Sequence, residues 1–334
     1  MFAVVLVGGF GTRLRPLTYD VPKPMLPVVH RPMIVRLVER LAPAGVTDVA
    51  LALGFKPEPF AEAFPGGVHT LADGTSVRVH YAVEPEPLDT AGAIAFAARE
   101  CNVDDTFVVA NGDVITDLHL PDLVAAHRAS GRRATIHLTP VADPSAFGVV
   151  EHAADGTVLR FVEKPAPGET DSNLINAGTY VFEPEVLDLI APGERISVER
   201  DTFPKLVAAG QLGAYATDDY WIDAGRPELF LAANLDLIDG RRNPVEDGIA
   251  VGADVAADAR VDGSVVAAGA VVEGAAEVRR SVLLPGARIG RGATVADSIV
   301  AGVVGAGASL ANCVVGAGYS VSGGAQLAAV RLPE

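Results

Sequence analysis

Strand-like and helix-like hydrophobic patterns alternate over about the first 240 residues. Short apolar runs rich in Val are typical of buried parallel strands, and segments with helical spacing of apolar residues follow them. The predicted strands are 3–7, 48–53, 77–82, 106–110, 134–138 and 179–182, with a hairpin over 148–162. The predicted helices are 33–44, 90–99, 121–129, 184–190 and 227–238. This order predicts an α/β fold with a doubly wound, mostly parallel sheet and helices on both faces.

A different pattern begins near residue 246, where aliphatic residues recur every six positions. The recurring positions are Ile249, Val255 and Val261; Val266, Val272 and Val278; Leu283, Ile289 and Val295; and Val315, Val321 and Leu327. Six-residue periodicity is typical of a parallel β-helix, in which each coil has three flat faces. A β-helix also explains why 298–330 contains no charged residue, since its seven glycines argue against a membrane-spanning helix. We expect a first domain over 1–240 and a β-helix domain of about five coils over 246–330.

Charge and cysteine content exclude several classes of protein. The 334-residue chain has 42 acidic and 26 basic residues, a net charge of -16, whereas proteins that coat nucleic acid or an anionic membrane need excess Lys and Arg. Its two cysteines have no disulfide or metal-site spacing, and the N-terminus does not resemble a signal peptide. We therefore expect a cytoplasmic protein with neither a nucleic acid nor a membrane as partner.

A glycine-rich segment follows the first predicted strand. It runs GGFGTRLRPLT over 8–18, and PKPMLP follows over 22–27. Glycines let backbone N–H groups approach a phosphate closely. Arg13 and Lys23 add positive charge, and their N–H groups can donate hydrogen bonds to phosphate oxygens. The segment lacks the third glycine of a dinucleotide-binding fingerprint and the Gly-Lys-Ser/Thr ending of a P-loop. Its chemistry therefore indicates phosphate binding of another kind.

The glycine-rich segment resembles the signature of the sugar-1-phosphate nucleotidyltransferases, and the resemblance covers essentially the whole chain. Four further segments carry it: EPEPLDTAG over 84–92, NGD over 111–113, FVEKP over 161–165, and NAGTY over 176–180 with YWIDAG over 220–225. The resemblance implies a Rossmann-like nucleotidyltransferase domain followed by a left-handed β-helix of hexapeptide repeats. In the implied reaction, a sugar-1-phosphate oxygen attacks the α-phosphorus of an NTP and pyrophosphate leaves. Within the family, the chain most resembles the members that use GTP and mannose 1-phosphate.

The resemblance assigns roles to individual residues. The catalytic residues are Arg13, Lys23 and Lys164. The nucleotide-binding residues are Leu6, Gly8, Gly9, Gly11, Thr12, Arg13, Glu84, Thr90, Ala91, Gly92 and Asn111. The sugar-phosphate-binding residues are Gly148, Glu163, Lys164, Asn176 and Arg195, although a surface position would explain Arg195 equally well. Asp113 and Asp223 are the expected ligands of Mg²⁺, a cation that prefers oxygen ligands and substrate phosphates.

Departures from the family pattern leave the identity of the base open. Asp89 stands where the family usually has Gly, and its carboxylate either contacts guanine N1–H and N2–H₂ or points to water. Arg226 stands where Thr or Gln is common. Transfer of a thymidylyl, uridylyl or adenylyl group to glucose 1-phosphate is therefore the alternative to GTP with mannose 1-phosphate.

The β-helix raises two further possibilities. Hexapeptide β-helices also occur in acyltransferases, which are expected to use a His general base there, but all seven histidines lie at or before His152. The expected role of the β-helix is instead assembly of a homo-oligomer or packing against the first domain. A regulatory paralogue that binds a nucleotide sugar without turnover is the last alternative, although all the expected catalytic and metal-binding residues are present.

Overall fold

The structure is a computed structural model that describes residues 1–9, 11–54, 57–242 and 244–333; Phe10 of the glycine-rich segment lies outside these ranges. The chain forms two compact units. The first consists of Met1–Gly8 and Ile34–Trp221, and the second of Gly9–Met33 and Ile222–Glu334. Most of the glycine-rich segment therefore belongs to the same unit as the C-terminal residues.

Six α-helices form in the described part of the chain, and four of them lie close to predicted positions, whereas those over Glu58–Ala63 and Phe203–Ala208 were not predicted. The six helices are α1 (Met33–Leu41), α2 (Glu58–Ala63), α3 (Asp89–Glu100), α4 (Leu120–Ser130), α5 (Phe203–Ala208) and α6 (Pro227–Ile238). The helix predicted over 184–190 is instead a 3₁₀ helix, Pro184–Leu189. Its hydrogen bonds reach back three residues, from the Val186 N–H to the Glu183 carbonyl and from the Ile190 N–H to the Leu187 carbonyl, which is the 3₁₀ pattern.

Fourteen short strands precede the β-helix in the described ranges. They are β1 (Phe2–Leu6), β2 (Pro27–Val28), β3 (Arg31–Pro32), β4 (Asp48–Leu53), β5 (Val68–Thr70), β6 (Ser76–Val83), β7 (Phe107–Asn111), β8 (Val114–Thr116), β9 (Ala134–Pro140), β10 (Gly148–His152), β11 (Val158–Glu163), β12 (Leu174–Phe182), β13 (Leu212–Ala216) and β14 (Trp221–Asp223).

The large sheet of the first unit has the order β11-β10-β12-β7-β1-β4-β6-β5, with β9 beside β12 and β13 beside β9. Its centre, β7-β1-β4-β6, is parallel as predicted. The prediction of a mostly parallel sheet is wrong beyond this centre, since β5 pairs antiparallel with β6 and β12 with β7, whereas the antiparallel pair of β10 and β11 is the hairpin predicted over 148–162. Short connections join β5 to β6 and β10 to β11, and a short connection can join only antiparallel neighbours.

Hydrophobic packing on this sheet explains its stability. Tyr180, Phe182 and Phe203 are buried together, with the Tyr180 and Phe182 rings stacked at 5.7 Å between centroids and Phe203 edge-on to Tyr180 at 5.2 Å. Offset and edge-to-face aromatic pairs of this kind add to the free energy gained from burial alone. Burial raises the pKa of the Tyr180 hydroxyl far above its ordinary value, so the hydroxyl stays protonated.

The second unit contains the predicted β-helix, which is confirmed as three parallel five-stranded sheets. The first sheet contains β15 (Asp254–Val255), β18 (Val271–Val272), β21 (Arg288–Ile289), β24 (Val303–Val304) and β27 (Ser320–Val321). The second contains β16 (Arg260–Asp262), β19 (Glu277–Arg279), β22 (Thr294–Ala296), β25 (Ser309–Ala311) and β28 (Gln326–Ala328). The third contains β17 (Val265–Val266), β20 (Val282–Leu283), β23 (Ile299–Val300), β26 (Val314–Val315) and β29 (Arg331–Leu332).

Most of the predicted inward aliphatic residues pack in the core of the β-helix, but Ile249 is 42% exposed. Ile249 precedes the first regular coil and forms only an isolated bridge with Val266, so no earlier coil covers it. A ladder of hydroxyl groups joins successive coils: Ser264 Oγ accepts from the Ser281 N–H at 3.0 Å, and Ser281 Oγ accepts from the Ser298 N–H at 3.1 Å. The serine spacing in the sequence thus reflects a repeated hydrogen bond.

No helix in the described ranges is both long enough and apolar enough to cross a membrane. The uncharged stretch 298–330 consists of β-helix strands and turns, which confirms the interpretation based on its glycines.

Asp48, at the start of β4, is a buried carboxylate with several hydrogen-bond partners. Its side chain is 6% exposed and accepts hydrogen bonds from Arg78 Nε and Nη2, both at 2.6 Å, while His80 Nε2 lies 2.9 Å away. Burial by itself would raise the pKa of this carboxyl, but the bonds from Arg78 and His80 outweigh burial and hold the pKa at about 2, below its ordinary 3.8.

We expect Asp48→Asn to lower the free energy of unfolding by roughly 2 kcal/mol at pH 7, from a pKa shift of nearly two units. Since the pKa is lower in the folded state, the wild type has this stability in full above about pH 4 and loses it as the pH falls through about 2. Urea unfolding of both proteins at pH 7 and pH 3 measures the difference, with the exposed Asp104→Asn as control. A difference between the proteins that does not shrink at pH 3 contradicts the assignment.

Candidate active site

In the second unit, the two predicted catalytic cations of the N-terminal segments meet a predicted metal ligand. Lys23 follows Pro22 at the start of a 3₁₀ turn, Lys23–Met25, and its side chain is only 8% exposed. Its Nζ lies 3.2 Å from Asp223 Oδ1, a contact between residues 200 positions apart. Arg13 Nη2 lies 3.8 Å from Asp223 Oδ2. Because the Arg13 side chain is 57% exposed, its guanidinium remains accessible to an anionic ligand.

Gly225 permits this convergence of charges. A Cβ at this position would lie 2.6 Å from Lys23 Nζ, 2.7 Å from Asp223 Oδ1 and 2.9 Å from Arg13 Nη2. Any larger residue would therefore displace at least one of the three charged groups. The glycine at the end of the YWIDAG segment thus has a steric role that its position in the sequence alone does not reveal.

Gly11 and Thr12 shape the backbone beside Arg13. Gly11 has φ +55°, a left-handed conformation that favours glycine, and its carbonyl accepts a hydrogen bond from Thr18 Oγ1 at 2.7 Å. Thr12 then begins the 3₁₀ turn Thr12–Leu14 that carries Arg13. Thr12 and Gly9 are exposed, as residues that contact a ligand through the backbone would be.

In the first unit, the predicted nucleotide-binding residues cluster at the carboxyl ends of the parallel strands. Leu6 ends β1 directly opposite Asn111, the last residue of β7, and the Leu6 carbonyl accepts from the Gly112 N–H at 2.9 Å. Asp113 follows in the turn after β7. Open α/β sheets bind ligands at this edge, which agrees with the position predicted for Asp113.

Glu84 lies at the same edge, close to the start of the glycine-rich segment. Gly8 lies beside it, since a Cβ at Gly8 would be in ordinary van der Waals contact with Glu84 Oε1 at 3.5 Å. Glu84 is 8% exposed, its Oε2 accepts from the Leu88 N–H at 2.9 Å, and burial raises the pKa of its carboxyl above the ordinary value. Glu84 is therefore a preorganised hydrogen-bond acceptor.

The start of α3 is bonded to a segment that sequence analysis had not connected with it. The Ile196 carbonyl accepts from the N–H groups of Ala91 and Gly92 at 2.9 and 3.1 Å, and Thr90 Oγ1 donates to Glu199 Oε2 at 2.8 Å. A Cβ at Gly92 would lie 2.7 Å from the Glu194 carbonyl oxygen, so glycine is needed for this packing. The role of Thr90, Ala91 and Gly92 in nucleotide binding remains a prediction. The structure adds that these residues hold the start of α3 against the segment 194–199.

The Asp89 carboxylate is bonded within the protein. It has φ +60°, its Oδ1 accepts from the Thr90 N–H, and its Oδ2 accepts from Arg200 Nη2, both at 2.8 Å. Its carboxylate thus bonds to the first turn of α3 and pairs with Arg200 instead of pointing to water. No sequence motif indicated Arg200, because the pair spans 111 positions.

The hairpin of β10 and β11 brings together three of the predicted sugar-phosphate residues. Gly148 pairs with Glu163, and a Cβ at Gly148 would lie 2.9 Å from Glu163 Oε2 and 2.5 Å from Phe161 Cζ. Lys164 has φ +52°, its side chain is 67% exposed, and its Nζ lies 3.6 Å from Glu163 Oε1. A left-handed backbone at a residue other than glycine is strained, and such strain is frequent at functional sites.

Asn176 and Arg195, the other two predicted sugar-phosphate-binding residues, lie outside this hairpin. Asn176 Nδ2 donates to the Tyr180 hydroxyl and its Oδ1 accepts from the Gly178 N–H, both at 2.9 Å. These bonds hold the irregular stretch of β12, where its register with β9 shifts. Arg195 is exposed in the loop before Ile196. The structure thus gives Asn176 a structural role within its own strand and leaves the guanidinium of Arg195 at the surface.

No group of three or more His, Cys, Asp or Glu side chains in the described ranges could hold a metal ion. Mg²⁺ does not need such a group, because it keeps several waters and usually binds one or two carboxylates together with substrate phosphates. Asp113 and Asp223 supply hard oxygen donors of this kind. Their joint role as magnesium ligands remains a prediction.

Comparison with known proteins decides the family. Residues 2–240 match the model of the family described as nucleotidyl transferase. The chain belongs to the nucleotidyltransferase family. Residues 251–329 of this nucleotidyltransferase match a second model, the GlmU-like C-terminal hexapeptide, which agrees with a left-handed β-helix. Its Rossmann-like catalytic fold and hexapeptide repeats are both as predicted.

Curated relatives and solved structures support the assignment. A mannose-1-phosphate guanyltransferase of Eremothecium gossypii is 40% identical over 79% of this chain and 72% of its own length. A mannose-1-phosphate guanylyltransferase of Mycobacterium tuberculosis is 39% identical over 79% of each chain. Among solved structures, a Bacillus anthracis protein named as a glucose-1-phosphate thymidylyltransferase has a TM-score of 0.62 at 25% identity, over 70% of this chain and 94% of its own. HddC from Yersinia pseudotuberculosis, complexed with GMP-PN, has a TM-score of 0.57 at 30% identity, over 70% and 97%.

Proposed function

We propose that this nucleotidyltransferase forms GDP-mannose and pyrophosphate from GTP and mannose 1-phosphate. The observation that carries the proposal is the convergence of Lys23, Arg13 and Asp223 around Gly225, which concentrates cations in a chain of net charge -16. The names of the curated relatives support the choice of GTP and mannose 1-phosphate.

The residues of the chain promote transfer by positioning and charge neutralisation. The nucleophile is a phosphate oxygen of the sugar phosphate, which forms a bond to the α-phosphorus while the bond to pyrophosphate breaks in line. Lys164 holds the attacking phosphate, and Glu163 accepts hydrogen bonds from sugar hydroxyls. Arg13 and Lys23 bind the phosphate oxygens of the NTP and neutralise the charge that develops on pyrophosphate.

Members of the family generally use a divalent metal, and we propose Mg²⁺ for this chain. Asp113 and Asp223 would hold it. When bound, it would neutralise phosphate charge and fix the orientation of the phosphates. In the present structure Asp223 faces two cationic side chains, so Lys23 and the metal would share its carboxylate.

We propose that Glu84 recognises the base. Guanine carries two adjacent donors, N1–H and N2–H₂, and a carboxylate can accept from both, whereas adenine offers no such pair. Glu84 suits this role because it is buried, held by the Leu88 N–H and adjacent to Gly8. Asp89 suits it less, since Arg200 and the Thr90 N–H already occupy its two oxygens.

Glu84→Gln is expected to raise KM for GTP by roughly 10- to 100-fold, the effect of losing charge-assisted hydrogen bonds. In the wild type, KM for GTP should rise as the pH falls, because only the ionised carboxylate accepts both donors. The rise should begin at a pH above the ordinary pKa of a glutamate, because burial raises the pKa of Glu84. Steady-state kinetics from pH 5 to 8 measure both effects. The matched control is Glu86→Gln, an exposed glutamate in the same loop; an equal effect of both variants contradicts the role.

The function is tested by pyrophosphate release from five NTPs, each with mannose 1-phosphate and with glucose 1-phosphate. We expect the highest kcat/KM with GTP and mannose 1-phosphate. Similarity to the Bacillus anthracis structure favours one second candidate, thymidylyl transfer to glucose 1-phosphate, and preference for dTTP would establish it instead. Nucleotide-sugar binding without turnover of any pair would favour the regulatory paralogue.

Homo-oligomer formation through the β-helix is a separate proposal, which light scattering of the full chain and of a chain ending at residue 245 tests.

A further inference from the structure

The last coil of the β-helix contacts the glycine-rich segment inside the second unit. Arg331, in β29, donates from Nη1 to the carbonyl oxygen of Arg13 at 3.0 Å, across 318 positions of sequence. This carbonyl belongs to the 3₁₀ turn Thr12–Leu14 that carries the Arg13 guanidinium. The bond therefore fixes the backbone of the residue to which we assign the phosphates of the NTP.

A second contact joins the neighbouring coil to the same segment, since Gly316 follows β26, the strand that pairs with β29. A Cβ at Gly316 would lie 2.8 Å from Pro16 Cβ and 3.1 Å from its Cγ, so the proline ring packs directly on the glycine backbone. The Gly316 N–H donates to the Leu332 carbonyl at 2.7 Å, which links this contact to the residue after Arg331. Two independent contacts, one polar and one steric, thus connect the end of the β-helix to the residues around Arg13.

Burial along the glycine-rich segment alternates in a way that these contacts explain. Leu14 and Pro16 are buried, whereas Arg13 and Arg15 are exposed. The segment is thus anchored by its apolar side chains and presents its arginines outward. A rigid β-helix coil held by ladder hydrogen bonds provides a fixed support for the anchored side, and catalytic groups act best when rigid elements hold them in place.

We propose that Arg331 is a positioning residue, which with the Gly316 corner holds Arg13 in the orientation that binds the NTP phosphates. The β-helix is then part of the catalytic apparatus in addition to any role in assembly. This inference rests on the proposed function of Arg13. It predicts that the last coil affects binding of the NTP and does not affect recognition of the sugar 1-phosphate.

The test is steady-state kinetics of the full chain with Arg331→Ala, Arg331→Lys and Gly316→Ala. We expect Arg331→Ala to lower kcat/KM for the NTP about tenfold, the effect of losing one charge-assisted hydrogen bond, and to leave KM for the sugar 1-phosphate and Tm unchanged. Arg331→Lys should restore part of the activity, and Gly316→Ala should act like Arg331→Ala because its methyl group displaces Pro16. The matched control is Arg288→Ala, an exposed arginine in the first sheet of the β-helix, which should retain wild-type kinetics.

A double-mutant cycle separates positioning from general stability. If Arg331 acts through Arg13, adding Arg331→Ala to Arg13→Ala should cause no further loss. Additive losses, an equal rise in KM for the sugar 1-phosphate, or activity of Arg331→Ala within twofold of wild type would each overturn the proposal. Wild-type turnover in the same assay tests the proposed function separately. If no substrate pair turns over, equilibrium binding of GTP to the same variants decides: unchanged affinity in Arg331→Ala overturns the positioning role.

Discussion

Lys23→Gln is expected to lower kcat/KM by roughly 100- to 1,000-fold, a range taken from the removal of one preorganised hydrogen-bond donor that stabilises developing charge at a reacting centre. Lys23 is nearly buried and lies 3.2 Å from Asp223 Oδ1, so its ammonium group is held in place before any substrate binds. Gln has similar length but no charge, so it can neither neutralise a phosphate nor balance Asp223. Steady-state pyrophosphate release with GTP and mannose 1-phosphate measures the change.

The charge of Lys23 also affects stability, because Asp223 would lose its closest cation. Removing one partner of a largely buried pair is destabilising, so Tm must be measured alongside activity and the assay run well below it. Lys205→Gln is the control, since Lys205 is an exposed lysine whose Nζ donates to the Leu189 carbonyl. Near-normal kcat/KM in a folded Lys23→Gln protein would remove Lys23 from the catalytic residues.

Asp113→Asn is expected to reduce turnover by roughly 1,000-fold at saturating Mg²⁺ and to raise the Mg²⁺ concentration needed for half-maximal activity. The reason is chemical: an amide keeps the shape of the carboxylate but is a neutral, weaker ligand for a hard cation. The fold should survive, because Asp113 lies in a turn whose neighbour Gly112 already bonds to the end of β1. Activity as a function of Mg²⁺, from chelator-treated protein upward, measures both quantities.

The control for Asp113 is Asp104→Asn. Asp104 is an exposed aspartate in the loop before β7, the strand that Asp113 follows. It should retain the kcat and Mg²⁺ dependence of the wild type. A folded Asp113→Asn protein with the same Mg²⁺ dependence as the wild type would refute the assignment of Asp113 as a metal ligand. Loss of activity without a shift in Mg²⁺ dependence would instead show that Asp113 acts on the substrate directly.

Local sequence patterns predicted secondary structure well where the burial of each residue follows from its position in a repeat. Aliphatic residues every six positions, such as Val272, Val278 and Ile289, are buried in the β-helix as expected, because each inward position repeats with the coil. The alternation of strands and helices did not predict the antiparallel directions of β5 and β12 in the large sheet, since apolar content does not encode strand direction. The direction of β5 follows from its short connection to β6, and that of β10 follows from the hairpin that the sequence did predict.

Motifs, periodicity and composition indicated the family, the two types of fold and the residue types for phosphate binding, because all three are local properties of the chain. The tertiary structure decided which charges meet: Lys23 with Asp223, Asp89 with Arg200, and Arg331 with the backbone of Arg13. Each of these contacts joins residues more than 100 positions apart. Their pairing depends on how complete elements pack, and a hydrogen bond or ion pair forms only once packing brings the two groups within about 3 Å.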